Sequence, residues 1–142
     1  MNTSGIRLGK LYASFVYGFR GLKALLRERN YRIAVVITVV GAVLFWFVDR
    51  QFLWIFIPMA TIVLISEGTN TAIEVLCDFV HEEKHPVIGK VKDMAAANTV
   101  VAVLLASAIG LLEFIKLWGG IKGTFIWAFS ILLIFVVFSF GR

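Results

Sequence analysis

The chain has 142 residues, 60% of them hydrophobic and 16% charged, with a mean hydropathy of +0.90. At this length that composition excludes a soluble globular domain and leaves a single helical membrane bundle. The formal net charge is +5, and the single cysteine, Cys77, excludes both an internal disulfide and a cysteine zinc cluster.

Residues 1–32 hold seven of the fourteen basic residues (Arg7, Lys10, Arg20, Lys23, Arg27, Arg29, Arg32) against one acid, Glu28. The positive-inside rule therefore places the N-terminus in the cytoplasm. No apolar run followed by a small-residue cleavage site occurs here, so a cleavable signal peptide is not expected. These basic residues adjoin a membrane face, so anionic lipid explains them better than nucleic acid does, and no nucleic-acid partner is expected. Leu8, Leu11, Tyr12, Phe15, Phe19, Leu22 and Leu26 share one helical face. That spacing predicts an amphipathic helix on the inner membrane surface within residues 1–32. Lys10, Ser14, Tyr17, Gly18, Gly21 and Glu28 form a second stripe. Its two glycines either admit a ligand close to the backbone or serve tight packing.

Three core spans are expected at 33–48, 52–80 and 94–115, and a fourth at 124–140. Asp49-Arg50-Gln51 closes the first. At 1.5 Å per residue the second is roughly 40 Å long against a hydrocarbon core of ~30 Å, so its polar C-terminal third should emerge. Starting from an inside N-terminus, that third emerges on the cytoplasmic side. Pro58 predicts a local kink. The expected fold is thus an all-α membrane protein, one domain over 1–142, with an N-terminal amphipathic surface helix, three core transmembrane helices and a fourth, C-terminal one.

Within the second span, Glu67, Asn70, Glu74 and Asp78 fall within about 80° of one another on a helix. An ionisable group inside a bilayer costs roughly 2.5–3.5 kcal/mol, so such residues face a protein interior and mark a site. Three carboxylates and an amide suit a cation. The following loop holds His81 and His85 without zinc spacing to any cysteine. His85, before Pro86, is either a solvated loop residue or a donor to phosphate. Lys92-Asp93 is either an interfacial anchor with a helix-start aspartate or a lysine aimed at phosphate oxygens. Gly5-Ile-Arg-Leu-Gly9-Lys10 has the wrong spacing for a P-loop, and no protein-kinase catalytic motif occurs. Carboxylates for Mg²⁺, lysines for phosphate and a surface helix are the parts phosphoryl transfer needs. A proton or cation pathway would use the same carboxylates, and a purely structural membrane protein is a third reading.

The segments Glu67-Gly-Thr-Asn70-Thr-Ala-Ile-Glu74, Glu83-Lys-His85-Pro and Lys92-Asp93-Met-Ala resemble the prokaryotic diacylglycerol kinase and undecaprenol kinase family. Its hallmark is Glu-x-x-Asn-[Ser/Thr]-Ala-Ile-Glu followed about eighteen residues later by Lys-Asp, and here Glu74 precedes Lys92 by that interval. Glu28-Arg-Asn30-Tyr-Arg32-Ile agrees with the family's approach to its first span. The resemblance implies a lipid kinase of the bacterial inner membrane, assembled as a homotrimer with sites between subunits. The implied reaction moves the γ-phosphate of ATP, with Mg²⁺ as cofactor, to the hydroxyl of a membrane lipid. It implies Glu67 as catalytic base and Glu28 and Glu74 as Mg²⁺ ligands. It further implies ATP contacts from Lys10, Tyr17, Glu28, Asn70, Glu74, Glu83, His85, Lys92 and Asp93, with Asp78 in a supporting role. Four features depart from the family pattern: Gly68-Thr69 replaces a bulky apolar pair, Ala34 replaces a polar residue, the segment between Gly21 and Asn30 is a residue shorter, which bears on the placement of Lys10 and Tyr17, and the fourth span lies outside the three-span core. Asn30-x-Arg32-Ile and His85-Pro86 lean toward the undecaprenol branch.

Overall fold

The computed structural model describes residues 3–80 and 85–139. Five helices follow one another: α1 (Thr3–Leu25), α2 (Arg29–Val48), α3 (Leu53–Val80), α4 (Pro86–Trp118) and α5 (Gly120–Ser139), with a 3-10 turn at Arg50–Phe52 between α2 and α3. No strand occurs among the described residues, and the molecule is an all-α membrane protein. α2, α3 with its leading turn, and α4 are long and apolar enough to cross a bilayer, while Gly120–Leu132 in α5 is a shorter apolar stretch.

Helix boundaries follow local chemistry. The helix expected within 1–32 ends at Leu25, where the N–H groups of Leu26, Arg27 and Glu28 bond back to Leu22, Ala24 and Leu25. Glu28 takes extended backbone, φ −75° and ψ 131°, and α2 starts after it. α4 begins at Pro86, ahead of the expected span start at 94. Proline is pre-set for a first helical position, and the His85 Nδ1 accepts from the Val87 N–H at 3.3 Å as the cap. α3 continues through Pro58. Between α4 and α5 a single residue, Gly119, turns the chain at φ 78°, a backbone conformation that only glycine adopts without strain.

Packing is of the membrane kind. Tyr31, Phe52, Cys77, Ala95 and Ala102 are the buried apolar residues among those described, and large side chains such as Trp54, Phe79 and Phe47 face outward. Lipid tails are as apolar as leucine, so helices here associate by close van der Waals contact rather than by hiding area from water. Ala95 and Ala102, two turns apart on α4, let α4 lie against α3. Phe45, Phe52 and Phe56 close the α2–α3 hairpin, with ring centroids 4.6 and 5.2 Å from Phe45. α5 folds back on α4, where the Trp127 indole N–H donates to the Ser107 carbonyl at 3.0 Å. Gly123 is buried against the Phe114 backbone there.

Gly68 fixes the level of the first bundle corner. A Cβ at Gly68 would lie 3.2 Å from Leu25 Cδ1 and 3.4 Å from Tyr31 Cε2. The end of α1 and the first turn of α2 therefore meet α3 at residue 68. Beyond that level α3 continues for another twelve residues, to Val80. The departure Gly68-Thr69 has a packing reason: the corner occupies the space a bulky side chain would need.

Candidate functional site

The polar stripe of α3 is a physical feature of the structure. Asn70 is 9% exposed, and its Nδ2 donates to Glu74 Oε1 at 2.9 Å. A carboxylate only accepts, so this bond fixes which end of the Asn70 amide carries nitrogen. The other end, Oδ1, is buried and has no partner. Glu67 is half-buried and Glu74 is exposed. Two turns further along α3, Asp78 pairs with the Lys92 ammonium of α4. The pair ties the two helices where both project past the start of α2, and it holds Lys92 beside the carboxylate stripe.

Glu28 arrives through the corner. It lies between Leu25 and Tyr31, both packed on Gly68, one residue from Glu67. The extended backbone at Glu28 follows the end of α1, so residue 28 belongs to the corner that meets α3 at residue 68. Asp93 is exposed on the second turn of α4, next to Lys92. His85 is used in capping α4. Glu83 lies outside the described residues. Lys10 and Tyr17 sit on exposed faces of α1, and the Arg20 guanidinium lies 5.9 Å from the Tyr17 ring centroid. No hydrogen bond or ion pair among the described residues joins Lys10 or Tyr17 to the α3 stripe.

No group of three or more His, Cys, Asp or Glu among the described residues is arranged to hold a metal ion. That donor set still suits Mg²⁺, which keeps several waters and takes one or two carboxylates plus substrate phosphates rather than a full protein cage. Glu74, exposed and steadied by Asn70, is a carboxylate of that kind.

Two further features were not singled out in the sequence. One is a cleft of about 270 Å³ between α3 and α4, lined by Ser66, Thr69, Asn70, Ile73, Asn98 and their neighbours. Ser66 and Asn98 are polar residues in two separate expected spans, and nothing along the chain links the two. The other is a charged cluster at the far end of the bundle. Lys116 donates to Asp49 Oδ2 at 2.6 Å and to Glu113 Oε1 at 3.2 Å. Glu113 is an acid inside a span with a lysine three residues on, which is the pattern that would have disclosed it.

The fold is that of a helical membrane protein, and the stripe gives it a candidate carboxylate-and-amide site where two spans project from the bundle. The model of the prokaryotic diacylglycerol kinase family matches residues 16–114. A diacylglycerol kinase of Escherichia coli (strain K12) is 32% identical over 110 residues, covering 74% of this chain and 87% of the relative. One from Helicobacter pylori is 32% identical over 113 residues, covering 78% and 82%. An undecaprenol kinase of Bacillus subtilis is 30% identical over 111 residues, covering 76% and 90%. No solved structure gives a significant match. The chain belongs to the prokaryotic diacylglycerol kinase family. The match ends at residue 114, so α5 lies beyond it.

Proposed function

We propose that the chain transfers the γ-phosphoryl group of ATP to the hydroxyl of a membrane lipid, diacylglycerol or undecaprenol, at the cytoplasmic interface. Its family makes it a lipid kinase, a phosphotransferase with an alcohol acceptor, and a multi-pass membrane protein of bacterial type. Family membership is the observation that carries the reading. The α3 stripe supplies residues of the type the reaction needs.

Glu67 is the base in this proposal. It takes the hydroxyl proton as the lipid oxygen bonds to the γ-phosphorus, and the bond to the β–γ bridging oxygen breaks with its electrons leaving on ADP. Half-burial shields the carboxylate from part of the water while leaving one side open to substrate. Asn70 holds Glu74 in one rotamer, and Glu74 with Glu28 provides oxygen ligands for Mg²⁺. Bound there, Mg²⁺ would offset the negative charge of the transferring phosphate. Lys92 is held at the Asp78 end of the stripe and turns toward phosphate when nucleotide arrives. Asp93, His85, Tyr17 and Lys10 line the nucleotide side, and the family resemblance assigns Glu83, outside the described residues, to the same nucleotide. For Lys10 and Tyr17 this requires α1, or α1 of a second subunit in a homotrimer, to lie over the site. The basic N-terminal residues support a cytoplasmic position for this end of the bundle, where ATP is.

The test is phosphate incorporation from labelled ATP into diacylglycerol and undecaprenol in mixed micelles, for wild type and Glu67→Gln. Wild type should label lipid. The variant should lose at least about 10²-fold in turnover while still binding MgATP, since general-base contributions are of that size. Nucleotide binding lost together with turnover would remove Glu67 from the role of base.

A further inference from the structure

The proposed reaction uses the carboxylate side of α3 and leaves the adjoining cleft unused. On the helix circumference Asn70 lies between the two, about 60° from Glu67 and about 40° from Ser66 at 3.6 residues per turn. One end of its amide serves Glu74, and the other is a buried acceptor without a donor, beside the cleft. Across from it α4 contributes Asn98, whose amide carries two N–H donors, and Ala95, whose small side chain keeps the space open. Ile73 and Ile65 supply apolar wall. The cleft also sits at a telling depth. Packing of Tyr31 on Gly68 puts the first turn of α2, with Arg29 and Arg32, level with residue 68 of α3. Such basic residues mark the membrane interface, so Ser66, Asn70 and Asn98 lie at the boundary between head groups and hydrocarbon, where glycerolipids carry their ester groups.

We infer that this cleft reads the acceptor beside its reacting hydroxyl, and that Asn98 is a specificity residue donating to an ester carbonyl of an acylglycerol. The inference rests on the kinase reading and deepens it. One Asn98 N–H goes to the lipid carbonyl and leaves the second for the unpaired Asn70 oxygen, so the right acceptor satisfies both sides of the cleft. A polyprenol carries only hydrocarbon beside its hydroxyl and leaves these groups unpaired. Sites built to hydrogen-bond a substrate reject analogues lacking the partner for this reason. The preference therefore runs toward acylglycerols, against the lean drawn from Asn30-x-Arg32 and His85-Pro86, neither of which lines the cleft.

The experiment compares three acceptors in mixed micelles with the full-length protein: a diacylglycerol, its dialkyl ether counterpart and undecaprenol. The ether keeps the hydroxyl and the chains and lacks only the carbonyls. Wild type should favour ester over ether by about tenfold in kcat/KM, the size of one hydrogen bond. Asn98→Ala should bring that ratio close to one by raising KM for the ester, with kcat retained and with ether and undecaprenol unchanged. Asn98→Gln, which keeps the donors, should restore part of the ratio. Wild type that does not distinguish ester from ether overturns the inference. Equal losses on all three acceptors in both variants also overturn it and assign Asn98 to packing. A variant with altered oligomer mass overturns it by making the cleft a contact between copies of this chain. Phosphorylation of none of the three by wild type overturns the kinase reading, and this inference with it.

Discussion

Asn70 and Glu74 divide two tasks within one turn of helix. A carboxylate on an exposed helix face samples many rotamers, and each must be lost before it ligates a cation. The Asn70 amide, itself nine-tenths buried, removes much of that freedom through a 2.9 Å bond. Glu74→Gln keeps the size and the position of the side chain but removes the charge. It should therefore raise the Mg²⁺ concentration for half-maximal activity by about tenfold, within the range seen when the surroundings of a metal site are weakened. A Mg²⁺ titration of wild type and variant at saturating ATP measures this, and superimposable curves would remove Glu74 from the metal. Lys92 poses the complementary question. Its pairing with Asp78 is an exposed contact on the Asp78 side and contributes little stability, so its value lies in placing the ammonium. Asp78→Asn should leave thermal stability within about 0.5 kcal/mol of wild type, as surface substitutions do, while raising KM for ATP several-fold. A large stability loss with KM unchanged would make the pair a strut instead.

Helix contacts in this molecule turn on small residues, and two glycines carry separable consequences. At Gly123 a Cβ would meet backbone atoms, 2.6 Å from the Phe114 carbonyl carbon and 2.7 Å from Ile115 Cα, and backbone cannot step aside. Gly123→Ala should push α5 off α4 and cost about 1–3 kcal/mol of stability, as overpacking does, with turnover kept because the candidate site is at the other end of α4. Thermal unfolding and kinase assay on one preparation decide it. At Gly68 a Cβ would press on Leu25 and Tyr31, the residues that flank Glu28. Gly68→Leu should displace that corner and lower turnover with helix content intact, as read by far-UV circular dichroism beside the assay. These contacts also show what a sequence can and cannot reveal. The stripe Glu67, Asn70, Glu74, Asp78 was legible because it is periodic within a single helix. The break at Glu28 was not, because an amphipathic pattern continues across residues 25–29 while the chain turns. The start of α4 at Pro86 was missed because hydropathy rises only after Asp93, although the His85-Pro86 cap is local. The placement of Lys10 and Tyr17 depends on how α1 lies, which no intrahelical spacing encodes. The α3–α4 cleft needs two helices at a fixed rotation, so Ser66 and Asn98 had no shared signal along the chain.

The molecule has two polar ends with different work. One holds the stripe, the corner with Glu28 and the Lys92–Asp78 pair. The other holds a lysine between two carboxylates, at the turn joining α2 to α3. There Asp49 Oδ1 accepts from the Gln51 N–H at 2.9 Å and the Phe52 N–H at 3.4 Å, while Oδ2 accepts from Lys116 at 2.6 Å. The 3-10 turn, α2, α3 and the end of α4 are thus joined through one side chain. The Lys116 ammonium holds the Asp49 carboxyl well below its ordinary value of 3.8, at about 2, with the turn's N–H groups adding to the effect and partial burial opposing it. A carboxyl whose folded pKa is depressed stabilises the fold above the unfolded pKa, and that stabilisation is lost as pH falls through the folded value. The contribution of Asp49 should therefore be complete above pH 4 and disappear between about pH 4 and about pH 2. Asp49→Asn keeps an oxygen for the turn's N–H groups but cannot pair with Lys116 as an anion. Its thermal midpoint in micelles should lie below that of wild type at pH 7, and the two curves should converge across that acid window. Convergence at a higher pH would shift the effect to another carboxylate. A constant gap down to pH 2 would mean that the Asp49 contribution is steric and not electrostatic. The cluster lies at the opposite end of the bundle from the candidate site, so the variant should retain wild-type KM for ATP at pH 7, which separates the clamp that joins the helices from the proposed nucleotide site.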